Sequence, residues 1–302
     1  MILKERSESE ELLSRRYLHR RMELSEKEKT YYFNLEKGYE GEKKFDILLE
    51  DLQEERYVLN DLLFEVNNSF FQIDTLIISQ RAIHLIDIKN YEGDFRLDSD
   101  KLYSVISGKE YKNPADQLKR CTTLLRQLLQ SIKYPSLIES HVIFINSEFT
   151  LYQTPLDAPF IFPTQLTRFL KELNQTASIL NDHHKKLAKK LLSLHQPKNP
   201  FSTLPKYHFD QLQKGIYCHQ CYSFSMAIQF HHFVCKSCGS IEKIEDAILR
   251  HTKEFNLLFP EKKITTHNIY EWCKTELNER TIRRILTKYF TKQKKTNGVY
   301  YK

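Results

Sequence analysis

Glycine and proline are scarce in this chain, 7 and 9 among 302 residues. That scarcity excludes collagen-like and low-complexity architectures. No run approaches the ~18 consecutive apolar residues of a membrane-spanning helix, so a membrane is not an expected partner. The opening MILKERSESEELLSRR lacks the apolar stretch of a secretory signal, which makes the cytoplasm the expected location. What is there is globular: 40% hydrophobic and 28% charged residues, enough for real cores. A chain of 302 residues is expected to hold two or three domains.

The net charge of +7 is unevenly spread. Residues 31–150 carry 14 basic and 20 acidic side chains, residues 151–241 carry 10 and 4, and residues 242–302 carry 14 and 8. An acidic segment joined to a basic half suits a metal-dependent enzyme tethered to a polyanion-binding module. Ordinary surface variation gives the same counts, so charge alone does not decide.

Residues 1–30 read as a charged helix, with Leu12, Leu13, Leu18, Met22 and Leu24 as its sparse apolar positions. A second helix is expected from Tyr39 to Leu52. Phe70–Ile78 and Ile83–Ile88 are rich in β-branched and aromatic residues and read as adjacent strands around Gln80–Arg81. Tyr103–Ile106 and His141–Ile145 read as short strands on either side of a helix, Pro114–Ser131. Residues 165–194 read as mostly helical, and Pro197, Pro200 and Pro205 mark a linker. The expected division is a helix at 1–30, an α/β domain at 31–195, a linker at 196–214, a cysteine-rich ribbon at 215–241 and a mainly helical domain at 242–302.

Alternate residues of a strand share a face. In Leu85-Ile86-Asp87-Ile88-Lys89-Asn90, Asp87 and Lys89 therefore point one way and Ile86 and Ile88 the other. If the two strands pair, Asp74 comes near Asp87. Two carboxylates and a lysine at a sheet end suit phosphodiester hydrolysis. Mg²⁺ takes oxygen ligands and keeps several waters, so one or two carboxylates hold it. The metal activates water and neutralises transition-state charge, and a neighbouring lysine stabilises the same charge. An exposed D-x-K on an edge strand is the competing reading, and the commoner one for that tripeptide alone.

Four motifs then follow one another in order. Gly38-Tyr39-Glu40-Gly41-Glu42 has the G-x-x-G-E form; Ile73-Asp74 comes next, then Ile86-Asp87-Ile88-Lys89-Asn90-Tyr91-Glu92-Gly93, then Asn113-Pro114-Ala115-Asp116-Gln117 at a helix start. The set resembles the nuclease-related domain (NERD) family of the PD-(D/E)xK, restriction-endonuclease-like superfamily, over roughly residues 36–150, with weaker similarity to about 175. The resemblance implies Glu42 as the helix-borne acid and Asp74 as principal metal ligand. It implies that Asp87 and the Ile88 carbonyl complete the ligands, with Lys89 as catalytic lysine and Gln117 lining the site. Where the family usually has Glu, this chain has Asp87, whose shorter side chain must approach the metal more closely.

Cys218-His-Gln-Cys221 and Cys235-Lys-Ser-Cys238 form two C-x2-C pairs with a 13-residue spacer. This spacing points to one structural Zn²⁺ in a zinc ribbon, since four thiolates leave no open position for catalysis. Two disulfides are the competing reading, disfavoured in a reducing compartment. Cys121 and Cys273 read as buried small hydrophobes.

From Ile244 three helices and a hairpin are expected. Thr265 or Thr266 caps the second helix and Asn278 the third. Ile282, Ile285, Leu286 and Tyr289 form the apolar stripe of the third, and Asn297-Gly298 the hairpin turn. From Arg280 onward there are 8 basic residues and no acidic one. Arg280, Arg283, Arg284 and Lys288 on the helix, with Lys292, Lys294 and Lys295 on the wing, resemble a winged-helix DNA-binding surface. A protein-interaction winged helix remains the other reading.

The fold expected is an α/β nuclease core, a mixed sheet flanked by helices, plus a small zinc ribbon and a mainly α winged-helix domain. The function expected is that of a metal-dependent DNA endonuclease using Mg²⁺ or Mn²⁺. A non-catalytic DNA-binding or scaffold protein on a nuclease fold is the alternative, and an adaptor without nucleic acid a third. Oligomeric state has no signature in the sequence.

Overall fold

The computed structural model describes residues 1–295 and 298–302. The chain divides into two compact units, Met1–Glu8 with Phe33–Phe201, and Ser9–Tyr32 with Ser202–Lys302. The N-terminal residues do not form one helix. They form a strand β1 (Ile2–Lys4), a helix α1 (Glu10–Arg21) and the start of α2 (Glu26–Leu49). Ser9 sets the boundary, because its side chain accepts the Leu12 N–H and caps α1.

The first unit continues through β2 (Tyr57–Val66), β3 (Ser69–Ile78), β4 (Ala82–Lys89), β5 (Gly93–Asp98), β6 (Lys101–Ser104) and β7 (Glu110–Tyr111). Then come α3 (Pro114–Ser131), β8 (Leu137–Phe144), β9 (Phe149–Tyr152), β10 (Phe160–Ile161), α4 (Pro163–Gln175) and α5 (Asp182–Leu194). Six strands make a mixed sheet in the order β1-β2-β3-β4-β8-β10. Strands β2, β3 and β4 are antiparallel neighbours, while β1, β8 and β10 join in parallel. Val58, Ile77, Ile86, Ile88 and Ile143 pack with Phe45 of α2 and Leu166 of α4. Leu59, Leu76, Leu85 and Val142 pack with Leu118, Leu125 and Leu128 of α3 and Leu187 of α5. A sheet covered on both faces explains the near-continuous apolar run of β4. A second sheet, β7-β6-β5-β9, belongs to the same unit. Strand β2 had no expectation attached to it, since Asn60, Asp61 and Glu65 interrupt its apolar alternation.

The second unit holds β11 (Met226–Gln229), β12 (His232–Cys235), β13 (Ile241–Lys243), α6 (Ile244–Leu258), α7 (Thr266–Cys273), α8 (Glu279–Tyr289), β14 (Lys292–Lys295) and β15 (Gly298–Tyr301). Strands β11, β12 and β13 form one small sheet, and β14 and β15 form a hairpin. Thr265 and Asn278 cap α7 and α8 as expected. Leu18, Phe255, Trp272 and Ile285 share one core. Beneath it Arg21 pairs with Glu254 at 2.8 Å, both side chains fully buried, and Arg21 lies 3.9 Å from the Trp272 ring centroid. Tyr289 departs from its expected place in the apolar stripe. It is 47% exposed, and its hydroxyl donates to Glu245 at 2.8 Å. Asn297, expected in the hairpin turn, lies outside the described residues.

Candidate active site

Strands β3 and β4 pair from Ile78–Ile83 to Thr75–Ile86, and there the ladder stops. One step further in register, Asp74 stands opposite Asp87. Asp74 Oδ2 accepts the Ile88 N–H at 2.8 Å, so a side chain replaces a backbone partner where the strands part. Lys89 Nζ lies 2.9 Å from Oδ1 and 2.8 Å from Oδ2 of Asp87. Gln117 closes the group: its Nε2 donates to Asp87 Oδ1 at 3.2 Å, and its Oε1 lies 3.4 Å from Lys89 Nζ. Asn113 caps α3 and Pro114 opens it, which fixes the first turn that carries Gln117.

Glu42 arrives on α2 through a close approach. A Cβ on Gly41 would sit 2.5 Å from the Cβ of Asn90, so only glycine lets the helix lie against the residue after Lys89. Asn90 Nδ2 donates to the Lys37 carbonyl at 2.7 Å and ties the two segments together. Glu42 Oε2, however, binds Arg6 at 2.7 Å rather than the other acids. Glu42, Asp74 and Asp87 do not form a group of three with ligand atoms mutually within 4.8 Å; among the described residues the cysteine quartet is the group that does. The structure thus joins Asp74, Asp87, Lys89 and Gln117, with Glu42 set beside them.

The electrostatics follow from burial. Asp87 is pushed up to about 7, first by burial and then by the like charge of Asp74, with Lys89 working against both. Glu42 is pushed up to about 8 by burial and by Asp74, again with Arg6 opposing. Burial disfavours the Lys89 cation, yet Asp87 and Asp74 outweigh it and raise its pKa. Asp87 Oδ2 is buried, with the Lys89 ammonium 2.8 Å away as its close partner.

Sequence reasoning missed Arg6, Asp46 and Asp61. The side chain of Arg6 is buried and forms six hydrogen bonds. Nε and Nη2 hold Asp46, Nη1 holds Glu42 and Asp61 at 2.7 Å each, and Nη2 also reaches the Asp74 carbonyl at 3.1 Å and Thr75 Oγ1 at 2.9 Å. Asp61 falls opposite Asp74 in the β2–β3 register, which continues unbroken on both sides. Its φ of 51° is a left-handed conformation inside a strand, uncommon outside glycine but least costly for Asp and Asn. No spacing rule could have linked Arg6 to these acids, because they lie 36 to 55 residues away in sequence.

The four ribbon cysteines meet. Their Sγ atoms lie within 4.8 Å of one another, with Cys218–Cys238 at 3.6 Å and Cys221–Cys235 at 3.5 Å. A tetrahedral site with Zn–S near 2.3 Å places sulfurs about 3.8 Å apart, so the set fits zinc. The cysteines are not disulfide-bonded. The two knuckles repeat one backbone form. The N–H groups of Tyr222 and Gly239 return to the carbonyls of Cys218 and Cys235, and both residues have positive φ. On α8, Arg280, Arg283 and Arg284 are exposed, as are Lys292 and Lys294 on β14. Lys288 is held by Glu245 at 2.8 Å. The side chain of Lys295 lies outside the description.

Residues 37–145 match the nuclease-related domain (NERD) family. The matched segment contains Glu42, Asp74, Asp87, Ile88, Lys89 and Gln117, whereas Arg6 and the cysteine quartet lie outside it. No curated protein and no solved structure matches the chain. Among the described residues no helix is long and apolar enough to cross a membrane.

Proposed function

We propose that the chain is a divalent-metal-dependent DNA endonuclease whose catalytic unit is held to DNA by its basic C-terminal module. The observation that carries the reading is the opening between β3 and β4. Two carboxylates, a half-buried lysine and a glutamine meet there, and the lysine ammonium lies within 2.9 Å of both carboxylate oxygens of Asp87. Asp74 and Asp87 would hold Mg²⁺ or Mn²⁺, with the Ile88 carbonyl as third protein ligand. When bound, such an ion supplies an activated water and charge neutralisation at phosphorus. Lys89, its pKa raised, stays a cation. It acts as a hydrogen-bond donor and counter-charge to phosphate oxygens rather than as a base. Gln117 orients both Asp87 and Lys89, and Glu42 is the neighbouring acid.

The remaining parts serve binding. One Zn²⁺ on Cys218, Cys221, Cys235 and Cys238 braces the ribbon, and reduced thiolates accord with a cytoplasmic setting. Arg280, Arg283 and Arg284 of α8 and Lys292, Lys294 and Lys295 of the wing contact phosphates; Lys288, engaged by Glu245, contributes less. The proposed domains are the nuclease-like region 31–195, the ribbon 215–241 and the winged-helix module 242–302, with a linker at 196–214. The test is cleavage of a panel of duplex, branched, nicked and single-stranded DNAs with Mg²⁺ or Mn²⁺. Asp87→Ala is expected to abolish cleavage while leaving DNA affinity largely intact. Equal cleavage by the purified variant rejects the assignment.

A further inference from the structure

A groove of about 720 Å³ opens in the first unit beside the group just described. The two share Gln117, which lines the groove and hydrogen-bonds Asp87. Part of its lining is aromatic. Phe70 of β3 and Phe201 meet edge to face, with ring centroids 5.5 Å apart at 84°. Phe201 is 71% exposed, so its ring is open to a ligand. Tyr111 also lines the groove, and Gln72 and Asn199 add exposed amides.

The charges say what kind of ligand fits. Lys101, Lys112 and Arg120 line the groove, and so do Asp100, Glu110 and Asp116. Lys101 is paired with Glu110 at 3.2 Å. Three cations against three acids give no net pull on a phosphate backbone, so this is not a backbone-tracking channel. An exposed aromatic face among amides instead suits an uncharged, flat group with hydrogen-bonding edges. The volume is that of a small-ligand pocket, which takes one or two nucleotides and excludes a duplex.

Resting on the nuclease reading above, we propose that this groove is a subsite for an unpaired base next to the scissile phosphate. The base stacks on Phe201, with Gln72 and Asn199 at its edge. Single-stranded or frayed nucleic acid is then the preferred substrate class. Stacking on aromatic side chains is sequence-tolerant, because every base has a π-face.

The experiment is equilibrium binding of a fluorescein-labelled 12-nucleotide single-stranded DNA, its blunt duplex and its RNA counterpart, in EDTA so that cleavage plays no part. The proteins are the full chain, Phe201→Ala, Phe201→Tyr and, as an exposed control in the same unit, Leu156→Ala. Phe201→Ala is expected to lose at least about fivefold in single-strand affinity, the low end of what one base–aromatic stack supplies. Phe201→Tyr and Leu156→Ala should stay within about twofold of the parent chain. Because the stack carries no charge, the salt slope should not change. The DNA and RNA arms show which strand is taken. Unchanged single-strand affinity in Phe201→Ala overturns the proposal, and so does an equal loss on blunt duplex. The nuclease reading is judged separately: a chain that cleaves but shows no dependence on Phe201 keeps that reading and loses the subsite, whereas a chain that never cleaves yet needs Phe201 to bind single strands keeps the subsite.

Discussion

Arg6→Ala removes the one guanidinium that joins Glu42, Asp46, Asp61 and the backbone of Asp74. The Arg6 side chain is 2% exposed and its three acid partners 19–20%, so solvent screens these pairs weakly. Removing one partner of a buried ion pair costs about 3–5 kcal/mol, because the other charge stays buried and uncompensated. The acids offset part of this by taking up protons, so the lower value, about 3 kcal/mol, is the working figure. At roughly 2–4 °C per kcal/mol, the thermal transition of this unit should fall by about 6–12 °C. The sign with pH is fixed. Arg6 favours the ionised acids and keeps the Glu42 pKa down at about 8. Its removal raises that pKa further, so the cost from Glu42 grows as the pH rises above about 8. It shrinks as the pH falls and the acids become neutral. Arg6→Lys keeps the charge but loses the fork that spans Asp46, Glu42 and Asp61 at once. It should fall between the parent and Arg6→Ala in stability and lose cleavage. Calorimetry of the full chains at pH 8.5 and 5.5 measures this. A transition of Arg6→Ala within about 1 °C of the parent at the higher pH would refute the reasoning.

Other expectations are simpler. Elemental analysis of protein purified without added metal should give one zinc per chain, and Cys235→Ser should lose it and unfold residues 215–241 first; a folded, zinc-free ribbon contradicts the site. His251 is buried and neutral, its Nδ1 on the Ala247 carbonyl at 2.9 Å and its Nε2 accepting the Tyr217 N–H at 3.3 Å, with burial holding its pKa well below the ordinary 6.5. The unfolded chain takes up that proton and the native one does not. Stability should therefore drop as pH falls below about 6.5, by up to about 1.4 kcal/mol per pH unit. Urea titrations from pH 7.5 to 5 read this, and an equal slope in a folded His251→Gln variant removes His251 as its source. Replacing Arg280, Arg283 or Arg284 with Ala should lower the slope of log affinity against log salt by about 0.9 for each phosphate no longer neutralised; an unchanged slope and affinity make a protein the better partner for α8.

The parts of the site legible in the sequence are those where one local rule suffices. Alternation along β4 placed Asp87 and Lys89 together and C-x2-C spacing placed the four thiolates, whereas Gln117 is implied by the family resemblance alone. What stayed hidden depends on tertiary geometry. Gly41 looks like a helix-weakening residue until Asn90 is seen against it. Asp61 breaks the apolar pattern of β2, and it hides the strand for the same reason that the residue matters: a charged side chain sits in a buried sheet. Arg6 reads as part of a helix because its segment is short, charged and without periodicity. Its partners are set by the pairing of β1 with β2, which no pattern within eight residues encodes.

The charge balance around Arg6 accords with the proposed metal. Glu42, Asp46, Asp61, Asp74 and Asp87 interact in one region with Lys4, Arg6 and Lys89. With every group ionised, five negative charges face three positive ones, and two remain uncompensated. The excess concentrates on the Asp74 side, since Arg6 and Lys4 neutralise Asp46 and Asp61, and the acids that hold protons most strongly are Glu42 and Asp87. One divalent cation between Asp74 and Asp87 would supply the missing two charges and keep both acids ionised. A second guanidinium there would fill the opening and leave nothing to activate water. On this reading the fixed cation belongs in the outer layer, where it sets geometry, and the exchangeable one at the strand opening, where the phosphate must reach it.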